Sequence, residues 1–322
     1  MPTTPATDTD LHTLVIDTDP GADDVIALLF AMAAPERLRI EALTTVAGNV
    51  PLAKTSRNAR LACEWAGRPG IAVYAGAERP LQRTPIYAAN IHGQEGLTGV
   101  EVYEPAVPLA QGHAVDHLVR MLRAAPERSV TLAMLGPQTN LALALAQAPD
   151  IVRGLRELVL MAGAHFNGGN ITPVAEFNVF ADPHAAEAVL DSGVPVTMLP
   201  LDVTHKILTS DERIARLRGL GNRAGAIVAD ILDAYAPQEM AHYGMPGGPV
   251  HDATVTAYLL QPSLFWGRRI HVEVDSREGM GFGQTVADWH GSLRRPPNVN
   301  WIVDGDAQGF FDLLTDHIAR LP

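Results

Sequence analysis

Cysteine occurs once in this chain, at Cys63. A single thiol closes no internal disulfide and builds no zinc–thiolate site, which suits a reducing, cytoplasmic setting. Lysine is almost as scarce, confined to Lys54 and Lys206. Acidic residues outnumber basic ones, 36 against 24, for a formal net charge of −12. A surface of that sign argues against nucleic-acid or anionic-membrane partners and says little about a neutral small molecule. No apolar run approaches the roughly 20 residues needed to span a bilayer. Met1–Asp10 lacks the basic and apolar regions of a secretion signal, and its Thr, Pro and Asp content predicts a disordered tail. No repeat of 20–50 residues and no low-complexity segment is visible.

What is present is a chain that can bury a sizeable core. Of 322 residues, 47% are hydrophobic and 19% charged. Strand and helix signals alternate, which predicts an α/β fold: one domain over residues 11–322, with a mainly parallel open sheet flanked by helices. Strands are expected at Leu14–Asp17, Leu38–Val46, Ile71–Tyr74, Val130–Leu135, Leu155–Met161 and Val196–Leu201. Helices are expected at Asp23–Ala33, Leu52–Trp65, His113–Ala124, Asn140–Ala146, Pro183–Leu190, Ala253–Leu260 and Ala307–Leu321. Ile270–Asp275 and Gly283–Trp289 read as a C-terminal antiparallel hairpin. Three stretches lack this rhythm: Gly76–Gly112, Gly163–Ala175 and Tyr235–Val250. Long irregular loops in a compact domain are commonly functional, and ligands of open α/β sheets bind where such loops gather.

The densest chemistry lies at Asp17-Thr18-Asp19-Pro20-Gly21-Ala22-Asp23-Asp24, between an apolar strand and an apolar helix. Four carboxylates fall within eight residues, and no Lys or Arg stands nearer than Arg37. Like charges at one strand end need a positive neighbour. Oxygen-only ligands suit Ca²⁺ or Mg²⁺ better than zinc. The bland alternative is an acidic helix start complementing the helix dipole. Elsewhere, Asn49 ends the second strand in a Gly-Asn turn. Thr139 or Asn140 reads as a helix cap, as does Asp252. Asn170, Glu176 and Asn178 offer amides and a carboxylate able to hold neighbouring hydroxyls.

Asp-x-Asp-Pro-Gly-x-Asp-Asp after an N-terminal strand resembles the signature of the Ca²⁺-dependent nucleoside hydrolases of the inosine–uridine type. Further blocks follow in the same order: Thr44–Asn49, Asn90–Gly93, Gly136–Asn140, Leu158–Met161, Glu176–Asn178 with Asp182-Pro183, and His251-Asp252. The resemblance runs from Leu14 almost to the C-terminus. It implies hydrolysis of the N-glycosidic bond of ribonucleosides, with one Ca²⁺ per chain and a homodimer or homotetramer. Asp19, Asp24, Asp252 and the Leu135 carbonyl would ligate the metal, and Asp19 would act as general base towards a metal-bound water. Asp23, Asn170, Glu176, Asn178 and Asp252 would grip the ribose, Asn49 would help place the water, and Met161 would pack near the sugar. His92 and His251 would assist the departing base, with Tyr235 and Tyr243 in the base pocket. These types suit an oxocarbenium-like transition state, which carboxylates and amide oxygens favour.

The chain departs from the pattern at Leu135, where some members have Thr, and at Glu239, where Tyr can stand. Both leave the reaction intact, and the second bears on base preference. A haloacid dehalogenase-type phosphatase also places Asp-x-Asp after a first strand, but it normally uses a lysine, and Pro20-Gly21 stands where its helical flap would start. A non-catalytic nucleoside-binding protein would require the loss of a key group, and every metal and ribose position is filled. Dinucleotide binding fails for want of Gly-x-Gly-x-x-Gly after the first strand.

Overall fold

The computed structural model describes residues 11–322. The expected tail, Met1–Asp10, lies outside them. Nine strands form one sheet: β1 (His12–Thr18), β2 (Leu38–Thr45), β3 (Val73–Ala75), β4 (Val130–Met134), β5 (Leu155–Leu160), β6 (Val196–Met198), β7 (Phe265–Val274), β8 (Thr285–Asp288) and β9 (Val299–Gly305). Their order across the sheet is β3-β2-β1-β4-β5-β6-β9-β7-β8. From β3 to β9 in that order every pair is parallel; β7 then returns antiparallel on β9, and β8 on β7. The α/β class, the mainly parallel sheet and the C-terminal hairpin match expectation.

This order places the site. From β1 the chain winds outward through β2 and β3, then crosses back to β4 on the other side of β1. The crevice at such a reversal, outside the carboxyl ends of β1 and β4, is where open α/β sheets bind ligands. Asp19 follows β1 and Leu135 follows β4, so both stand at this crevice.

Two apolar cores cover the sheet faces. Leu14 and Ile16 of β1 face one and Val15 the other, as strand alternation requires. The helix Ala22–Met32 is buried along its whole length, because helices 52–65, 223–243 and 253–260 pack around it. A helix apolar on all sides belongs in such an interior. Burying Leu29 and Phe30 there contributes roughly 1.5–3 kcal/mol apiece.

Two expectations are corrected, and two elements were not anticipated. Tyr235–Val250 is not irregular throughout: Tyr235–Tyr243 completes the helix Arg223–Tyr243, which contains Pro237 and ends at Gly244 with φ +66°. An interior proline costs about 3 kcal/mol; buried Leu232, Tyr235 and Ala236 hold the helix around it. The strand expected over Val196–Leu201 ends at Met198, and Pro200 instead caps a short helix, Leu201–Thr204. Strand β9 and the helix Asp211–Arg218 went unread. Among the described residues no helix is long and apolar enough to cross a membrane.

Candidate active site

The acidic stretch divides into distinct roles. Asp17, the last inward residue of β1 proper, accepts hydrogen bonds from Thr44 Oγ1 and Asn140 Nδ2 (2.8 Å). Burial pushes its carboxyl up to about 7. Asn140 also donates to the Thr45 carbonyl and accepts from Ala77 N–H. It therefore ties three segments together rather than capping a helix, and Thr139 likewise donates to Asp182.

Asp24, three residues into the turn at Gly21, is held from several sides. It accepts from Thr18 Oγ1, Gly21 N–H (2.9 Å), Asp19 N–H (3.2 Å) and Asn49 Nδ2 (3.0 Å). Asn49 also donates its backbone N–H to Asp19 Oδ2 at 2.7 Å. Asp19 Oδ1 is buried and has no hydrogen-bond partner. Only glycine fits beside this carboxylate: a Cβ on Gly48 or Gly136 would collide with it.

Asp23, Asp24 and Asp252 bring one ligand atom each within 4.8 Å of one another, all buried. Asp252 precedes the helix Ala253–Leu260 but makes no capping hydrogen bond, so its carboxylate belongs to this cluster. Asp19 stands outside the trio by that measure, although Asp24 and Asp23 raise its pKa, after the larger effect of burial. Burial raises Asp252 well above the usual range, and Asp23, Asp24 and Asp19 push the same way. Asp23 is also raised by burial, opposed by His92. Among the described residues no Lys or Arg pairs with these buried acids, and a hard divalent cation fits their all-oxygen donor set. An Asp cluster able to hold a metal is therefore present.

Beside the cluster opens a concave cleft, the usual form of a small-ligand site. Leu135, Met161, Asn170, Glu176 and Asn178 line one part of it, together with Asp23, Asn49 and Asp252. Asn178 Nδ2 donates to the carbonyls of Leu135 (2.7 Å) and Met161 (3.0 Å). The Leu135 carbonyl keeps a second lone pair. Glu176 accepts from the N–H groups of Asn178 (2.7 Å) and Gly163 (3.0 Å), yet burial pushes it up to about 7. Asn170 Oδ1 accepts from Phe177 N–H at 2.7 Å.

His92, Tyr235, Glu239, Tyr243 and His251 line the rest. His92 Nδ1 accepts the Ala22 N–H at 3.1 Å, which leaves the ring proton on Nε2, and the ring stacks on Tyr235 with centroids 5.6 Å apart. His251 Nδ1 lies 2.8 Å from Thr204 Oγ1 and its Nε2 lies 3.7 Å from Glu239. Burial pulls the His251 pKa down, but Glu239 and then Asp23 outweigh it, so the net shift is upward. His205 tilts against both His251 and Tyr243, and burial, then His251, hold it down at about 3.

The cleft thus gathers all the expected sugar and base residues, while Asp19 and Asp24 sit buried behind its wall. Thr204 and His205 were missed; nothing in a Thr-His pair just past β6 marks it. Neither lysine reaches the site: Lys54 Nζ donates to Gln94 and Glu95, and Lys206 Nζ to the Val303 carbonyl. That removes the group a phosphatase of the rival type would need.

Comparison with known proteins agrees. The family model described as inosine-uridine preferring nucleoside hydrolase matches residues 14–312. The pyrimidine-specific ribonucleoside hydrolase RihA of Salmonella gallinarum is 41% identical over 306 residues, covering 95% of this chain and 97% of its own. Among solved structures, a purine-preferring ribonucleoside hydrolase from Gardnerella vaginalis superposes with a TM-score of 0.88 at 30% identity, covering 95% of this chain and 98% of that one. A plant nucleoside hydrolase gives 0.89 at 27% identity, covering 96% and 99%.

Proposed function

Because this chain belongs to the inosine-uridine preferring nucleoside hydrolase family, we propose that its cleft cleaves ribonucleosides by Asp19-assisted attack of water at the anomeric carbon, with one Ca²⁺ per chain. The coarse reaction follows from the family: the enzyme is a hydrolase of the ribonucleoside N-glycosidic bond. The observation that carries the finer reading is a buried carboxylate cluster beside a wall of amides and carbonyls.

Asp24, Asp252, the free lone pair of the Leu135 carbonyl and Asp19 are the groups to hold the cation, and Asp23 is close enough to join them. When bound, the cation neutralises these buried charges and acidifies and orients water. Asp19 has one oxygen fixed by Asn49 and one without a partner, so Oδ1 is the atom to take the proton of the attacking water. As the water oxygen bonds to the anomeric carbon, the C–N bond breaks and its electron pair leaves with the base. Asp23, Asn170, Glu176, Asn178 and Asp252 hold the ribose hydroxyls, Asn49 helps place the water, and Met161 packs beside the ring. Their oxygens also favour the positive charge that grows on the sugar. On the other side, Tyr235 and Tyr243 flank the base. His251 supplies a proton to it from Nε2, and His92 offers its Nε2–H. The homodimer or homotetramer implied by the family belongs to the same proposal and is read by light scattering.

The test is a panel of inosine, uridine, cytidine and adenosine assayed for free ribose. Ribose should appear with Ca²⁺, disappear with EDTA and return on adding Ca²⁺ back. Full turnover by protein shown to be metal-free by elemental analysis would overturn the metal's part in this reading.

A further inference from the structure

Asp202, in the first turn of the helix Leu201–Thr204, is a buried carboxylate that the hydrolysis as read above does not use. Its Oδ1 accepts from three successive backbone N–H groups, those of His165 (3.2 Å), Phe166 (2.8 Å) and Asn167 (3.0 Å). Its Oδ2 accepts from Trp301 Nε1 on β9 at 2.9 Å. Asn167 Nδ2 also donates to the Leu201 carbonyl at 3.2 Å, and Leu201 N–H to the Gly163 carbonyl at 2.9 Å. The start of this short helix thus fastens the loop that follows β5. Three residues beyond Asn167 stands Asn170, which lines the cleft and is held on its far side by Phe177 N–H. Gly168, with φ +70°, and Gly169 lie between, and a Cβ on Gly169 would collide with the Thr172 and Ala175 carbonyls. A turn this tight carries a displacement of Asn167 into Asn170.

We propose that Asp202 is a positioning residue for the sugar side of the cleft: by gathering the N–H groups of residues 165–167 it sets Asn170 against the ribose. The inference rests on the hydrolase reading above, in which Asn170 holds a ribose hydroxyl, and deepens it by naming what fixes that contact. The arrangement calls for a carboxylate. All four groups that face Asp202 are donors, and an ionised carboxylate offers acceptors only. Hydrogen bonds to a charged acceptor are also about twice as strong as neutral ones. An amide in its place would turn its NH₂ towards either the loop or Trp301, so that a donor meets a donor on one side. The loop bears on the sugar, so its loosening is felt by any riboside, whatever its leaving group.

The test is a double-mutant cycle of Asp202→Asn with Asn170→Ala, read as kcat and KM on inosine and on 4-nitrophenyl riboside in Ca²⁺-containing buffer. Asp202→Asn alone should lower kcat/KM by about tenfold or more on both substrates, the worth of a hydrogen bond to a charged group, with a rise in KM. In the Asn170→Ala background the same substitution should cost less than about threefold, because residues that act through one another do not add. A merely structural role would lower the folded fraction, and so kcat at unchanged KM, equally with and without Asn170; that result would overturn the proposal. A loss confined to inosine would overturn it too, since Asp202 would then act on the departing base through Thr204 of its own helix and His251. So would an Asn170→Ala enzyme as active as wild type, which leaves nothing to position. If Asp202→Asn does not fold, Asn167→Ala, which removes only the side-chain bond to Leu201, takes its place in the cycle and should give the same pattern at smaller size. If the wild type cleaves neither substrate, the hydrolase reading falls and this proposal with it. If it cleaves them and the cycle is additive, only this proposal falls.

Discussion

Calcium should act on the fold as strongly as on turnover. Asp23, Asp24 and Asp252 meet within 4.8 Å in a buried setting, and burial together with mutual repulsion raises Asp23 and Asp252 above the usual carboxylate range. The folded chain without a cation carries that repulsion, whereas the unfolded chain does not. A ligand that binds only the folded state adds RT ln(1 + [L]/Kd), about 4 kcal/mol at a thousandfold excess over Kd. With about 2.1 cal/mol/K of unfolding entropy per residue, 322 residues give roughly 0.7 kcal/mol/K. Saturating Ca²⁺ should therefore raise Tm by about 6 °C over the EDTA-treated protein. Asp252→Asn supplies the sign check. It removes a buried charge that Asp23, Asp24 and Asp19 all oppose, so its EDTA form should melt no lower than the wild-type EDTA form. It should also lose most of the calcium shift. Scanning calorimetry of both proteins, with and without Ca²⁺, decides the matter. A calcium shift in Asp252→Asn equal to that of wild type, or none in wild type, would refute the reasoning.

Asp19→Ala should lower kcat by a factor of about 10² or more with near-native circular dichroism, and near-normal turnover in a folded variant would exclude Asp19 as the base. His251→Ala should lose about 10²-fold or more on inosine or uridine but far less on a nitrophenyl riboside, whose leaving group needs little protonation. His92→Ala should show the same asymmetry if its Nε2–H bonds the base; equal losses on both substrates would mean that the ring only shapes the pocket. Glu176 carries a pH prediction: its folded pKa of about 7 exceeds the ordinary 4.5, so the stability it contributes is complete below about 4.5 and lost as pH rises through 7. In EDTA, the stability of wild type relative to Glu176→Gln should fall by up to about 3 kcal/mol between pH 5 and pH 8, as read by urea melts. Parallel profiles for the two proteins would contradict this.

The parts of the fold that were legible in sequence are those where local pattern and tertiary role coincide. Leu14–Ile16 of β1 and Leu158–Leu160 of β5 are apolar because the parallel sheet buries them on both faces, and such short apolar runs announce that directly. The acidic loop was legible because charge without counter-charge is rare in a buried turn. Illegible were the places where distant contacts decide. Pro237 and the nearby glycines argue for a loop, yet the packing of Tyr235 and Ala236 holds a helix through the proline. Asp17 looks equivalent to Asp19 in the motif; only Thr44 of β2 and Asn140 at the start of the helix Thr139–Gln147 turn it into a structural tie. Thr204 matters through His251, 47 residues away, a pairing no local pattern can show. The same holds for Asp19, whose place behind the cleft wall rather than on it follows from Gly48 and Gly136 closing over it.

These contacts bind catalysis and stability into one equilibrium. The carboxylates do not hang on a mobile loop: Asp24 is fixed by three N–H groups and a hydroxyl, and Asn49 pins Asp19 and Asp24 to the end of β2. Directly behind them runs the helix Ala22–Met32, buried on every side. Asp24 cannot relax by swinging into water without giving up the N–H groups of Asp19 and Gly21. That arrangement is what a preorganised active site requires, since groups aimed at a developing charge lose their advantage if they must reorganise during the reaction. It also predicts where mutations will be felt. Changes to Asn49, Gly48 or Gly136, none of which needs to exchange a proton, should lower turnover and calcium affinity together, because each alters the position of Asp19.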